Sequence, residues 1–238
     1  MQKIKIDRFI QKYSLNGLVD TVRWQVKDNV LTTAFVTDNQ ALMGTIVVEN
    51  VNIDNGLMGV YTTEQLQRLL NVLSDDVEID LVKIDDKCVK IKVSSSVATI
   101  EYPLSDLSVI GTPPTLKTQP DFTTRINVDR KFIDTFIRGK SALSEVSEFT
   151  LVRNGSLKLV IGYASTNTNR VTIPLDVVEN GLTENVSFNG DWFKEILVAN
   201  KECSSAVFEI SNEGLARINF KVDDFDSTYY LVASQDND

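Results

Sequence analysis

The chain has 238 residues, with 33 acidic side chains against 24 basic ones, a net charge of −9 and no histidine. The lack of histidine excludes imidazole general bases, Ser/His and Cys/His nucleophile pairs and imidazole metal sites. The acidic excess argues against nucleic acid as a partner unless the positive charges gather on one surface.

Alternation of apolar and polar residues with a period of two runs through most of the chain, which is typical of β-strands. Short polar turns, such as 153–155 and 212–214, join several of these segments, as antiparallel hairpins require. The predicted strands are 20–27, 30–37, 43–51, 77–84, 89–94, 97–103, 148–153, 157–164, 170–175, 207–211, 215–222 and 228–233.

Four short segments depart from the period of two. In each, the apolar residues recur at helical spacing and form one stripe along the helix. They are predicted as helices at 6–13, 63–73, 129–138 and 191–200. The stripes consist of Ile6, Phe9, Ile10 and Tyr13; Leu66, Leu69, Leu70 and Leu73; Phe132, Ile133, Phe136 and Ile137; and Trp192, Phe193, Ile196 and Leu197.

The order of these elements predicts an internal duplication. A β-α-β-β-β unit of roughly 55–60 residues recurs four times along the chain. A proline-containing segment without periodicity separates the second unit from the third. We therefore expect an α+β fold with two similar domains, 1–104 and 124–238, joined by a connector at 105–123.

The polar faces of the helices are more basic than the chain as a whole, and acidic residues concentrate elsewhere. One interpretation is that these are the solvated faces of amphipathic helices. The alternative is a shared surface for phosphates, which a few cations hold weakly and without sequence preference. The candidate DNA-binding residues are Lys5, Arg8, Lys12, Arg68, Arg130, Lys131, Arg138, Lys140, Lys194 and Lys201.

Two segments of the second half carry a family resemblance. The run Val186-Ser187-Phe188-Asn189-Gly190-Asp191-Trp192-Phe193-Lys194-Glu195-Ile196-Leu197 resembles the strand-to-helix segment that opens the last repeat of processivity clamps. The segment Tyr229-Tyr230-Leu231-Val232-Ala233 is similar to the last strand of the eukaryotic clamp, with a short acidic tail, 236–238, after it. In organisation the whole chain resembles the two-domain sliding clamps.

That resemblance implies a homotrimeric ring around double-stranded DNA, with helices on the inner face and antiparallel sheets outside. Closing the ring would pair strand edges head to tail, which removes edges that single subunits leave open. By family position the paired strands are 97–103 and 169–176. The implied interface residues are Thr99, Ile100, Glu101, Tyr102, Arg170, Val171, Thr172 and Ile173.

The resemblance also implies a hydrophobic pocket that takes short peptides from a DNA polymerase, a clamp loader and other enzymes. The alternative for several of these side chains is ordinary core or hairpin packing. The matching residues are Leu42, Met43, Val109, Ile110, Leu116, Tyr230, Leu231, Val232 and Ala233.

Three other interpretations stay open at this point. A monomeric polymerase accessory factor would have the same fold without a ring, and a phage tail or baseplate protein would also be acidic and β-rich. An enzyme would need a carboxylate pair to bind Mg²⁺, for which 75–76, 85–86 and 223–224 are candidates in turns. We expect no enzyme activity, no cofactor and no metal.

The expected location is the cytoplasm, or the host cytoplasm for a phage protein. Only Cys88 and Cys203 are present, without C-x-x-C spacing, which indicates a reducing compartment and argues against a thiolate zinc site. No stretch of 18 apolar residues is present, and no apolar segment follows the lysines near the start, so neither a membrane span nor a signal peptide is expected.

Overall fold

The computed structural model describes residues 2–114, 116, 118–163 and 169–234. Its contacts divide the described residues into two units. Unit 1 comprises those within 1–37, 44–114 and 223–227, and unit 2 those within 38–43, 115–222 and 228–238. The domain boundaries expected at 104 and 124 stay a prediction.

The described part of unit 1 contains two α-helices and two groups of strands. The helices are α1 (Lys3–Ser14) and α2 (Thr63–Leu70). One group has the order β3-β2-β1-β4, and the other is the sheet β5-β6-β7. These strands are β1 (Val22–Lys27), β2 (Val30–Val36), β3 (Leu42–Val48), β4 (Gly56–Val60), β5 (Glu78–Ile84), β6 (Lys87–Ser94) and β7 (Thr99–Pro103).

Unit 2 repeats this plan in its described residues. Its helices are α3 (Arg130–Ala142) and α4 (Gly190–Ala199). Its strands form the group β12-β8-β14-β15-β16 and the sheet β11-β10-β9-β13. The bounds are β8 (Thr124–Asp129), β9 (Glu148–Asn154), β10 (Ser156–Ile161), β11 (Val171–Pro174), β12 (Asp176–Asn180), β13 (Val186–Asn189), β14 (Ser205–Ile210), β15 (Leu215–Val222) and β16 (Phe225–Val232).

The architecture confirms the α+β fold class, with large antiparallel sheets and helices placed against them. The list of strands predicted from periodicity lacks β4, β8, β12 and β13. In β4, two glycines of five residues remove side chains from the alternating pattern. In β12, a bulge between Val177 and Glu179 breaks the period of two.

Each unit has its own aromatic core behind its helices. In unit 1, the Phe9 ring lies 5.6 Å from Tyr13 and 5.3 Å from Trp24, both edge to face. In unit 2, Phe193 lies 4.9 Å from both Phe136 and Phe208. The Phe136–Phe193 pair is edge to face, whereas Phe193 and Phe208 are tilted by 33°. Edge-to-face pairs add about 0.5–1.5 kcal/mol each beyond the apolar area that they bury. The cores therefore fix which face of each helix is left for solvent.

The two helices of unit 2 begin at side-chain caps. The Asp129 carboxylate accepts a hydrogen bond from the Phe132 N–H at 2.7 Å, and the Asn189 amide oxygen accepts one from the Trp192 N–H at 3.0 Å. Caps of this type contribute about 1 kcal/mol each and set the first helical residue. They place Arg130 and Lys131 in the exposed first turn of α3.

Candidate nucleic-acid interface

In unit 1 the cations of the helix faces are paired with carboxylates. Within the helices, Lys3 contacts Asp7 at 3.0 Å, and Arg68 contacts Glu64 at 2.5 Å. Two others, Lys5 and Arg8, reach the acidic turn, which we define as Asp223 and Asp224 between β15 and β16. Lys5 Nζ lies 2.5 Å from Asp224 Oδ2, and Arg8 Nη1 lies 2.9 Å from Asp223 Oδ2.

The acidic turn is held in place by more than these ion pairs. Asp223 has a left-handed backbone (φ 53°), and the Asp224 carbonyl accepts a hydrogen bond from the Glu49 N–H at 3.0 Å. The Asn50 side-chain amide donates to Asp224 Oδ1 at 3.3 Å. The hydrogen bond from the Lys5 ammonium, followed by that from Asn50, lowers the pKa of the Asp224 carboxyl below its ordinary value. The two carboxylates therefore lie where they compete with any other anion for Lys5 and Arg8.

Lys12 does not present its ammonium to solvent, contrary to its assignment to the DNA-binding set. The residue is 1% exposed, and its Nζ lies 5.4 Å from the centre of the Phe225 ring. A buried ammonium over an aromatic face is stabilised by the ring quadrupole and is unavailable to phosphate. We therefore remove Lys12 from the set.

Lys140 is also buried, contrary to its assignment to the DNA-binding set. It is 1% exposed, its Nζ lies 2.6 Å from Asp191 Oδ1, and it donates to the Ser144 carbonyl at 3.4 Å. The lysine lies on the apolar stripe of α3, four residues after Phe136, so the same packing that buries the phenyl ring buries the lysine stem. Its positive charge holds α3 to the first turn of α4.

The remaining cations of unit 2 are directed at solvent. Arg130, Lys131 and Arg138 are exposed on α3, Lys194 is half-buried on α4, and Lys201 is exposed just after α4. None of these five forms an ion pair with a carboxylate in the part of the chain that the structure describes. Arg138 instead donates from Nε to the Asp134 carbonyl one turn earlier, at 3.2 Å.

The strands expected at the subunit interface lie at sheet edges within their own units. β7 ends the sheet β5-β6-β7, and β11 ends β11-β10-β9-β13. In β7, Ile100 and Tyr102 are buried while Thr99 and Glu101 are exposed. Lys90 lies 2.6 Å from the Glu101 carboxylate, and its hydrogen bond lowers the pKa of that carboxyl. In and beside β11, Val171 is half-buried, Ile173 is buried, and Arg170 and Thr172 are exposed.

The register of β7 shows which of its backbone groups face outward. Leu104 N–H donates to the Val89 carbonyl, so residues 100 and 102 direct their hydrogen bonds toward β6. The N–H groups of Thr99 and Glu101 then point away from β6, to the open edge. Pro103, the next outward position, has no N–H to offer.

The residues expected to form the peptide pocket differ widely in exposure. Leu42, Ile110 and Leu231 are buried, which favours the core-packing alternative for these three. Met43, Leu116, Tyr230 and Ala233 are half-buried, and Val109 and Val232 are exposed. Within unit 2, the Val232 N–H donates to the Ala41 carbonyl at 2.9 Å.

The two ends of the connector are anchored by arginines that sequence reasoning missed. In unit 1, Arg23 donates to the carbonyls of Leu107 at 2.7 Å and of Ile110 at 3.0 Å. In unit 2, Arg217 lies over the Phe122 ring at 4.5 Å and donates to the Gln119 side-chain oxygen at 2.6 Å. Each arginine lies within a predicted strand, 20–27 or 215–222.

Among the described residues, no three acidic, cysteine or histidine side chains lie close enough to hold a metal ion. No helix in the described ranges is long and apolar enough to cross a membrane. The acidic tail at 236–238 lies outside the described residues.

Solved structures share this fold over nearly the whole chain. Proliferating cellular nuclear antigen (PCNA) from Entamoeba histolytica has a TM-score of 0.74 and 15% identity, covering 98% of this chain and 96% of that chain. A. fulgidus PCNA, bound to the C-terminal region of FEN-1, has a TM-score of 0.77 and 15% identity, covering 100% and 98%. The PCNA2–PCNA3 complex from Sulfolobus tokodaii has a TM-score of 0.73 and 11% identity, covering 98% of this chain and 97% of that chain.

These likenesses confirm the resemblance at the level of the fold, which is that of the PCNA sliding clamps. No family model matches the sequence. The search of curated proteins found no similar chain.

Proposed function

We propose that this chain, which has the fold of the PCNA sliding clamps, is itself a sliding clamp: a non-enzymatic subunit of a ring that encircles double-stranded DNA and tethers a DNA polymerase. The observation that carries this proposal is the combination of that fold with exposed helix cations that have no carboxylate partner among the described residues. Such cations bind phosphates without reading sequence, and a small number of them permits sliding.

The DNA-contacting residues of the proposal are the unpaired cations on or just after α3 and α4. They are the exposed Arg130, Lys131, Arg138 and Lys201 and the half-buried Lys194. Arg68 is also exposed, but its guanidinium is engaged by Glu64 one turn away. A phosphate would have to displace the Glu64 carboxylate to bind Arg68, so Arg68 stays a weaker candidate than the unpaired cations.

Ring closure in the proposal joins β7 of one subunit to β11 of the next, giving a homotrimer. Both strands are sheet edges in the described residues, and β7 directs free N–H groups outward at Thr99 and Glu101. An edge of this kind pairs readily with another strand. The S. tokodaii structure is a complex of two PCNA chains, which supports assembly between chains of this fold.

The partner site of the proposal takes a short peptide from a polymerase, a clamp loader or another DNA enzyme. The A. fulgidus structure, which holds the C-terminal region of FEN-1, supports this assignment. In unit 2 the accessible candidates are Met43, Leu116, Tyr230, Val232 and Ala233. Val109 remains a candidate in the connector.

Molar mass in solution tests the ring. Light scattering after size exclusion at micromolar concentration should give about 80 kDa, three times the 26.6 kDa of one chain. Glu101→Pro removes an outward N–H without touching a bond to β6, and edge strands tolerate proline. It should give a folded monomer, whereas Glu101→Gln should remain trimeric. A monomeric wild-type protein would favour the accessory factor of the same fold.

A further inference from the structure

The helix cations of the two units differ in what surrounds them. In unit 1, Lys5 and Arg8 are each bound to a carboxylate of the acidic turn, at 2.5 and 2.9 Å. In unit 2, the exposed cations of α3 and α4 have no carboxylate within ion-pair distance in the described ranges. The two units share one plan, but Lys5 and Arg8 of unit 1 are paired with carboxylates and the solvent-facing helix cations of unit 2 are not.

The carboxylates of the acidic turn occupy the positions that phosphate oxygens would need. Asp224 binds Lys5 Nζ, which also donates to the Asn50 carbonyl at 3.1 Å, so two of the three ammonium donors are already used. Arg8 is bound by Asp223 and lies over the Phe225 ring, its Cζ 4.7 Å from the ring centre. A phosphate must displace a charge-assisted hydrogen bond to reach either cation.

The turn is built to hold its carboxylates there. Its backbone is fixed by the bond from Glu49 N–H to the Asp224 carbonyl, and Asn50 binds the second carboxylate oxygen of Asp224. Both contacts remain within unit 1. Because the competitor is part of the same chain, its local concentration does not fall when the protein is diluted.

We propose that the acidic turn is an internal competitor for phosphate, which withholds Lys5 and Arg8 from DNA and leaves the α3 and α4 cations of unit 2 to make the phosphate contacts. The proposal rests on the proposed function. Its consequence is a weaker hold on DNA than the number of helix cations implies, since each phosphate contact withheld removes a salt-dependent contribution to affinity.

The double variant Asp223→Asn/Asp224→Asn tests the competitor directly. Asparagine tolerates the left-handed backbone of Asp223, so the turn is retained while its charge is removed. The matched control is Asp85→Asn/Asp86→Asn, which changes the net charge equally in an exposed turn with left-handed backbone, between β5 and β6. No helix cation is bound to that control turn among the described residues.

Binding of a fluorescent DNA duplex is measured by anisotropy over a range of salt concentrations for each protein. The Asp223/Asp224 variant should bind more tightly at low salt, and its slope of log affinity against log salt should steepen by up to about 1.8, or about 0.9 for each phosphate gained. The control should keep the wild-type slope. Adding Lys5→Gln/Arg8→Gln to the Asp223/Asp224 variant should return its slope to the wild-type value.

Each outcome has a separate meaning. Salt-dependent binding by the wild type, with equal slopes for the Asp223/Asp224 variant and the control, would overturn the competitor and leave the proposed function standing. A steeper slope that persists after Lys5 and Arg8 are replaced would also overturn it. Absence of salt-dependent DNA binding from every protein in the series would overturn the proposed function and this inference with it.

Discussion

Lys140 and Asp191 join the last turn of α3 to the first turn of α4 through a 2.6 Å contact between Nζ and Oδ1. The lysine side chain is 1% exposed and the aspartate 54% exposed, so the pair reaches from the core to solvent. Unit 1 has a neutral contact at the corresponding junction of α1 and α2, where Tyr13 Oη lies 3.0 Å from Thr63 Oγ1. Both units therefore join their two helices by a side-chain contact, which is an ion pair in unit 2 and a neutral hydrogen bond in unit 1.

The Lys140–Asp191 pair makes a first prediction about stability. Asp191→Asn should leave a buried ammonium without its counter-charge and lower the free energy of unfolding by about 2–4 kcal/mol. Lys140→Met replaces the stem with an apolar chain of similar volume and should cost less than about 1.5 kcal/mol. Chemical denaturation measures both. In the Lys140→Met background, Asp191→Asn should change the free energy of unfolding little. An equally large loss of stability in that background would show that the ion pair does not cause the effect of Asp191→Asn.

Glu195 makes a second prediction, about pH. Burial, and then the nearby negative charge of Asp191, raise the pKa of the Glu195 carboxyl above its ordinary value. A folded-state pKa above the unfolded one means that stability is fully present at low pH and is lost as pH rises through the raised pKa. Glu195→Gln should therefore stabilise the protein at pH 7, and the gain should disappear near about pH 4, where the unfolded carboxyl also becomes protonated.

Thermal unfolding at a series of pH values measures the Glu195 effect. The control is Glu184→Gln, which removes one negative charge from an exposed position. A gain from Glu195→Gln that is equal at pH 4 and pH 7 would mean that titration of this carboxyl does not contribute.

A third prediction concerns the cations of α3. Replacing Arg130, Lys131 and Arg138 together with glutamine should weaken duplex binding and reduce the salt slope by up to about 2.7, from about 0.9 for each lost phosphate contact. The matched control neutralises three exposed lysines on strands, Lys27, Lys87 and Lys158. Equal losses of slope in the two triple variants would assign the effect to net charge and not to the helix face.

A fourth prediction concerns the connector. Arg23→Gln removes the guanidinium that binds the Leu107 and Ile110 carbonyls, each charged hydrogen bond contributing about 1.5–3 kcal/mol. Hydrogen exchange of residues 105–110 should accelerate. The control is Arg153→Gln, whose guanidinium also binds a loop carbonyl, that of Thr183 at 3.1 Å. Unchanged exchange at 105–110 in the Arg23 variant would show that other contacts hold this segment.

The helices were the most predictable elements because their signals are local. The apolar stripe on 129–138 and the cap at Asp129 both lie within α3 or beside it, and the observed helix runs from Arg130 to Ala142. Strands β4 and β12 were not predicted, because two glycines in β4 and a bulge in β12 interrupt the period of two. Sequence patterns thus identified the elements whose stabilising contacts are close in sequence.

The sequence did not predict which cations of the candidate surface are paired with carboxylates, and the reason is physical. Helical spacing places Lys5 and Arg8 on the polar side of α1, but the acidic turn that binds them lies more than 200 residues later in the chain. No local pattern encodes such a contact. Lys140 is a different case. It lies seven residues after Ile133 and four after Phe136, so helical spacing places it on the apolar stripe, a position that indicates burial.

Topological retention on DNA tests the central proposal most directly. The protein is diluted to dissociate its subunits, reassembled and cross-linked in the presence of nicked circular plasmid, and then gel-filtered at high salt, which removes simple phosphate binding. A closed ring should elute with the circular plasmid and be released when a restriction enzyme linearises it. Cross-linked protein that elutes free of the circles, or that stays equally bound after linearisation, would contradict the sliding clamp.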